Sequence, residues 1–554
     1  MIGIALMVRL WGINYGLPEI KYIDAEKTLL PAKKIALNIL TGNWNIDPQK
    51  YQYPTVYINL MAIEFIAYGA IYGVINTHLG RHRSFKEAIQ ALYTAPERGY
   101  LYRAVPSAFH LLARITSAIA GALTVLFVFL IGKTAFEDKR IGLVSALFLA
   151  FMFGHVKDSR FPMTDATMCL LGIIGLYYLS RISVDDQLKD HVLCGVFIGL
   201  GISTKYFPGF FIITYLIIIA PKLLEGLKNK KANLMYYKKP LAGFLMIFVF
   251  FLVGTPIFLV RYNKYLGIGT GGVVSELQSQ AGGKIGYTQN WYFDLLFSRF
   301  PINNEPLAAQ SHLSVMGGPL LFFLICGIIY ALYLVLTNKS KNRWFDIGIC
   351  ITVILFYMFL AGEGKKKLIR YFYFLYPVYT VIAARFITEM VDFFFKEKRW
   401  NKSVLVVASI VFVFPTGMRT VRLNYLQSHI DSRLIAGKWF ERNIPQGSKV
   451  FAPILYPPII STVKYDVSYY RGESMRDLNP TVALLKRAGF EYIITSSYDT
   501  SVFYSPDAMK HNPELTFRWR GFYDSLDDDA ELIMRFESNL IDKPGPEIKI
   551  YRVP

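Results

Sequence analysis

The chain has 554 residues, of which 53% are hydrophobic and 16% aromatic, with a mean hydropathy of +0.33. Several apolar runs are long enough to cross a hydrocarbon core of about 30 Å, which excludes an ordinary water-soluble protein. The formal net charge of +20 does not indicate nucleic acid, because the basic residues form short clusters between apolar runs rather than one polar domain.

The first apolar segment, MIGIALMVRLWGINYGLP, lacks a basic leader and a small-residue cleavage site, so it is expected to be a membrane helix rather than a removable signal. At about sixteen residues it is short for a span, which implies a start upstream of Met1 or a helix beginning among the headgroups. Further spans are expected at 106–132, 141–155, 166–180, 192–205, 207–220, 240–260, 313–337, 345–361, 371–395 and 403–418. With the first helix the total is about eleven. Connections carrying Lys133, Lys139 and Arg140, then Lys222 to Lys239, Lys339 to Arg343, and Lys396 to Lys402 all fall on one side. Their charge makes that side cytoplasmic, with the N-terminus there too, in a multi-pass protein of the plasma membrane. The stretch 17–105, the segment 156–165, the Lys205 turn, the loop 261–312, the segment 362–370 and everything after 419 are then external.

The segment YPTVYINLMAIEFIAYGAIYGVI, 53–75, is also long enough to cross, but crossing would break this charge pattern. It is expected to lie in, or dip into, the outer leaflet, which suits Asn59 and Glu64. The chain thus divides into a transmembrane module, 1–418, and a polar tail, 419–554. In the tail a helix around Ser432 to Asn443, a strand-like KVFAPIL, a helix around Thr481 to Ala488 and the strand-like EYIITSS and EIKIYRV predict a small extracytoplasmic α/β domain. No Walker A sequence is present, which argues against an ATP-driven transporter. Cys169, Cys194, Cys326 and Cys350 lie in apolar runs without metal-ligand spacing and read as buried structural thiols.

Ionisable groups at the membrane face are the candidates for chemistry, since a charge at the bilayer centre costs about 3 kcal/mol on insertion scales. Asp24 and Glu26, in KYIDAEKTLLPAKKIA, follow the first helix. A carboxylate there can take the proton of an incoming hydroxyl, or Asp24 can simply cap the helix behind it. Asp158 and Asp165, in HVKDSRFPMTDATM, have His155 and Arg160 alongside. Two carboxylates in a tight loop suit a divalent cation, a sugar or basic neighbours, while Asp165 is also placed to cap the next helix and His155 to be an interfacial residue without catalytic duty. Lys205, in GLGISTKYFPG, interrupts an apolar stretch just before a helix break at Pro208 and Gly209, and needs an anionic partner. Arg370, after Lys365, Lys366 and Lys367, has the geometry for bidentate phosphate contact, whereas the three lysines suit lipid headgroups.

RLWGINYGLP with its acidic pair, YPTVYI, HVKDSRFPMTDATM, GLGISTKYFPG, RYFYFLYP and SRLIAGKWFERNIPQGSKV together resemble, in that order, the membrane glycosyltransferases of the protein O-mannosyltransferase and lipid A aminoarabinose transferase superfamily. The resemblance runs from about residue 9 to 455. It implies a C-type glycosyltransferase (GT-C) fold and a sugar taken from a polyprenyl-phosphate donor on the outer face, with Asp24 as base and Asp158 as the second-loop acid. It implies that Lys205 and Arg370 contact the lipid phosphate, with Tyr206 and Tyr371 beside them, and that Arg114, His155, Asp165 and Pro54 support the site. Two departures stand out: Ala25 separates the acidic pair, leaving Glu26 without a clear counterpart, and the usual double proline is reduced to Pro54 with Thr55.

A single base and a single displacement predict inversion at the anomeric carbon. No cofactor is demanded. A divalent metal, if used, would fall to Asp24 and Asp158. The expected partners are the bilayer, the polyprenyl-phosphate sugar and an acceptor that is a glycan, a lipid or a protein. Competing readings are a lipid-linked glycan flippase or transporter, against which the absence of an internal repeat counts, and a polymerase of lipid-linked glycans. The glycine-rich loop 261–312 is either a flap over the acceptor site or a plain connection, and acceptor or partner recognition is expected of the tail.

Overall fold

The computed structural model of the chain describes residues 1–18, 25–51, 53–94, 105–228, 235–266, 296, 311–363, 369–395, 400–453, 460–461, 463–470, 478–504, 509, 512–539 and 541–554. Asp24, nearly all of the loop 261–312 and Lys365 to Lys367 lie outside them.

The membrane module opens with α1 (Ile2–Leu10), α2 (Glu26–Leu40), α3 (Val56–His78), α4 (Phe85–Thr94) and α5 (Ser107–Ala135). It continues through α6 (Lys139–Phe151), α7 (Phe153–Asp158), α8 (Thr164–Val184), α9 (Leu188–Ile202), α10 (Phe211–Lys228), α11 (Met235–Gly254) and α12 (Phe258–Leu266). It closes with α13 (His312–Met316), α14 (Gly318–Leu336), α15 (Arg343–Glu363), α16 (Tyr376–Phe395) and α17 (Asn401–Leu426). Every expected span has a helix. Among the described residues, eight helices are long and apolar enough to cross a membrane, and α3 is one of them. Large apolar side chains such as Ile63, Leu245, Phe248, Phe322, Ile329, Val407 and Phe414 stay exposed around the bundle. In water that belt would drive aggregation, whereas against lipid it costs nothing.

Polar contacts sort the helix termini into two ends. At one, Arg140 reaches Asp392 at 2.7 Å, Asn342 reaches Ser183 at 2.8 Å, and Lys222 and Lys239 lie 3.3 and 3.2 Å from Asp186. At the other, Val56 N donates to the Ser203 carbonyl at 3.0 Å, Phe153 N to Thr416 Oγ1 at 2.8 Å, and Asn424 Nδ2 to the Val8 carbonyl at 2.6 Å. Every candidate site residue with described coordinates belongs to this second end or to the turns next to it.

Helices α9 and α11 pack backbone to backbone. A Cβ on Gly195 would lie 2.3 Å from the Gly243 carbonyl oxygen, and one on Gly199 2.5 Å from that of Ile247, so the small-xxx-small pair in LCGVFIGLG sets the approach. The first loop carries its own core: Leu29, Ala32 and Ile35 of α2 meet Tyr57, Met61 and Phe65 of α3, then Ile89 and Tyr93 of α4 and Phe109 at the start of α5. Residues at i, i+3 and i+6 supply the apolar stripe of α2.

Helix α17 continues to Leu426, eight residues past the end of the apolar run at 418. Its polar last turns find internal partners: Arg419 donates to the Ser314 carbonyl and Asn424 to that of Val8. The tail then folds as α18 (Ser432–Asn443), β1 (Lys449–Ala452), β2 (Asp466–Tyr469), α19 (Val482–Arg487), β3 (Tyr492–Ser496), α20 (Ser497–Phe503), α21 (Pro513–Asp529), β4 (Glu531–Phe536) and β5 (Ile548–Arg552). The five strands form one sheet in the order β2-β1-β3-β5-β4, parallel among β2, β1 and β3 and antiparallel through β5 and β4. Alternation splits β1, β3 and β5 between two cores: Val450, Ala452, Ile494 and Ile550 face Phe440 of α18, while Phe451, Ile493 and Tyr551 face Trp519 and Leu526 of α21. Strands β2 and β4 and helix α21 were not foreseen, since DVSY is short and the polar face of α21 masks its period.

Candidate active site

Two helix breaks build the site. After α6 the backbone at Met152 is extended, and the short α7 presents Asp158 as its last residue. After α9 the chain turns through Ser203, Thr204 and Lys205, and Pro208 opens a 3-10 helix, Phe207–Phe210, because a residue without an N–H cannot continue the preceding helix.

Asp165 sits in the first turn of α8, but the N-cap is Met163 and no side chain caps that helix. Its carboxylate accepts from Lys205 Nζ at 2.6 Å, with the two side chains only 6% and 10% exposed. The anionic partner that Lys205 requires is therefore supplied within the chain, and this corrects the capping reading of Asp165. The Lys205 ammonium also lies 5.0 Å from the Phe207 ring and 5.2 Å from that of Tyr371. Arg370 opens the 3-10 helix Ile369–Leu375, its guanidinium 5.8 Å from the Tyr371 ring and its Nη1 3.9 Å from Met163 Sδ. Tyr371 thus stands between the two cations, and half-buried Tyr206 lies on the same turn as Lys205.

Asp158 is half-buried, and among the described residues its carboxylate has neither a hydrogen bond nor an ion pair. Burial raises its carboxyl to about 6; Lys157, Arg370 and Lys205 pull it down and Asp165 pushes it up, so all four charges lie within electrostatic reach. The structure brings Asp158, Asp165, Lys205 and Arg370 into one group.

Pro54 is buried at the edge of this group. Thr55 takes the place of the second proline and uses both groups that a proline lacks: its N–H donates to Thr255 Oγ1 at 3.2 Å and its hydroxyl to the Gly254 carbonyl at 2.7 Å. The departure fastens the start of α3 to the C-terminal end of α11.

His155 and Arg114 face elsewhere. Buried Arg9 donates to His155 Nδ1 at 2.7 Å, and the imidazole stacks on Tyr373 at 4.6 Å. A guanidinium has no acceptor, so Nδ1 must accept and cannot serve as a base. Arg114 Nη1 donates to the carbonyls of Ile13 and Tyr15, both at 2.8 Å. The N-cap of α2 is Ala25, so the capping role considered for Asp24 falls one residue later, and Glu26 is the first residue of the helix. Asp24 itself lies outside the described residues.

Among the described residues no three His, Cys, Asp or Glu side chains gather as a metal site. With Asp165 committed to Lys205, Asp158 is the carboxylate of this group without a partner among the described residues. Arg9, Tyr15, Asn424 and Asp431 were not foreseen as part of this end; a lone arginine in an apolar run was the available signal for Arg9.

Residues 109–254, which contain Asp158, Asp165 and Lys205, match the family model of dolichyl-phosphate-mannose-protein mannosyltransferases. No curated protein sequence matches the chain. Among solved structures, the apo oligosaccharyltransferase of Archaeoglobus fulgidus aligns at 13% identity with a TM-score of 0.46, over 93% of this chain and 71% of that one. ArnT from Cupriavidus metallidurans, bound to undecaprenyl phosphate, aligns at 12% identity with a TM-score of 0.46, over 100% of this chain and 97% of that one. The family match falls on the residues that build the site, Asp158, Asp165 and Lys205, and makes that segment of a multi-pass helical bundle similar to the dolichyl-phosphate-mannose-protein mannosyltransferases.

Proposed function

We propose that the chain moves a sugar from a polyprenyl-phosphate donor to an acceptor hydroxyl, with inversion, at the outer face of the plasma membrane. The observation that carries this reading is the grouping of Asp158 with Lys205 and Arg370 at one end of the bundle, inside the family-matched segment or beside it. The end with Arg140, Lys222 and Lys239 is cytoplasmic by its charge, so the site and the C-terminal domain are external and the N-terminus internal.

In the reaction the acceptor oxygen attacks the anomeric carbon while Asp24 takes its proton. The bond from that carbon to the phosphate oxygen breaks, and polyprenyl phosphate departs with the bonding electrons. Arg370 and Lys205 face the charge that grows on the phosphate, and Lys205 shares its ammonium between Asp165 and that oxygen. Their aromatic surroundings exclude water, which strengthens both contacts. Asp158 orients the acceptor or donor hydroxyls. If a divalent cation binds, Asp158 and Asp24 would hold it, and it would neutralise phosphate charge.

Mass spectrometry of extracted lipids and envelope glycans, from cells with and without the gene, identifies the product. Asp24→Asn should abolish its formation while the protein accumulates in the membrane at the normal level. Full product from that variant would remove Asp24 as the base.

A further inference from the structure

The segment after α1 is held by its backbone. Arg160 donates to the Trp11 carbonyl and Arg114 to those of Ile13 and Tyr15. Among the described residues neither arginine has a carboxylate partner, and both grip the loop by its carbonyls. Gly12 adopts φ +71°, and a Cβ there would lie 2.9 Å from the Gln427 carbonyl oxygen, so the end of α17 presses directly on this turn. Asn424 of α17, fully buried, accepts from Arg160 and donates to the Val8 carbonyl.

The C-terminal domain completes the clamp. Asp431, 1% exposed, caps α18 by accepting from Arg433 N at 2.8 Å and is gripped by the Arg433 side chain, Nε to Oδ1 at 2.8 Å and Nη2 to Oδ2 at 2.7 Å. Its Oδ2 also accepts from the Tyr15 hydroxyl. The next residue, Ser432, donates its N–H to the Pro544 carbonyl at 2.9 Å, tying this corner to the strap that leads into β5. A buried carboxylate that satisfies its own arginine and helix has no structural need of a tyrosine 416 residues away. Here it reaches across to the membrane module.

We propose that the C-terminal domain braces the first loop: Asp431, fixed by Arg433, holds Tyr15 and with it the turn after α1, which precedes Asp24 in the sequence. Tyr15 and Asp431 are positioning residues. Only the catalytic consequence rests on the glycosyltransferase reading; the brace stands or falls separately.

The test uses the full chain purified in detergent and the same variants in membranes. In Tyr15→Phe and Asp431→Ala, hydrogen exchange at the amides of Ile13, Tyr15 and Leu17 should rise by about tenfold or more, as loss of a charge-assisted hydrogen bond implies. Exchange in β3 and β5 should stay unchanged, which separates the brace from unfolding of the domain. Transfer from polyprenyl-phosphate sugars extracted from host membranes should fall in kcat by about the same factor with KM for the donor kept, and Asp431→Asn, which retains an acceptor oxygen, should recover part of it. Unchanged exchange overturns the brace, and a loosened loop with full kcat overturns the positioning role. If the unaltered chain transfers no sugar, the glycosyltransferase reading fails and the exchange measurement decides the brace alone.

Discussion

Replacing Lys205 by Met leaves the Asp165 carboxylate buried without its partner. The ammonium and carboxylate are 2.6 Å apart and at most 10% exposed, so the pair belongs with buried ion pairs rather than surface ones. Removing one member of such a pair costs about 3–5 kcal/mol, against about 0–1 kcal/mol for an exposed pair. The double variant Lys205→Met with Asp165→Asn removes both charges and should regain most of the loss, whereas sugar transfer should stay absent because no ammonium remains to face the leaving phosphate. Thermal unfolding in detergent, with transfer measured in membranes, reads both effects. A Lys205→Met chain as stable as the parent refutes the buried-pair argument. A double variant with full transfer refutes the phosphate role of Lys205.

Three further outcomes follow from the structure. Because burial holds the Asp158 carboxyl near 6, transfer that needs the carboxylate should fall as pH drops below about 6. Asp158→Asn should lower the plateau and erase that limb; a limb that survives the substitution assigns it to another group. The raised value also means that the folded state holds the extra proton between about pH 4 and 6, so ionising Asp158 costs stability as pH rises through that window and Asp158→Asn should flatten the loss. Gly199→Val would drive a side chain into the Ile247 carbonyl, 2.5 Å from where its Cβ must sit. Separation of α9 from α11 should lower the thermal midpoint by several degrees and reduce transfer through displacement of Lys205 at the end of α9, whereas an unchanged midpoint would show that the close approach is not needed.

The long apolar helices, the polar tail and the residues that gather near Asp158 were legible because each is a local signal: a run, a charge in a run, a break at a proline. The partner of Lys205 was not, because Asp165 lies 40 residues earlier and its position in the first turn of α8 fits a cap equally well. The same limit hid Arg385, which pairs with fully buried Asp346 at the opposite end, although each interrupts an apolar segment in plain view.

What the sequence by itself determined is the class of molecule, a multi-pass helical bundle followed by a small α/β domain, since hydropathy and charge act residue by residue. The tertiary structure alone decided which charges neutralise one another and which stay available. Asp165 is consumed by Lys205, His155 by Arg9, and Arg114 and Arg160 by the carbonyls of the first loop, while Asp158 is left without a partner among the described residues. Pairing is a matter of distance in a medium of low dielectric, and sequence separation carries no information about it.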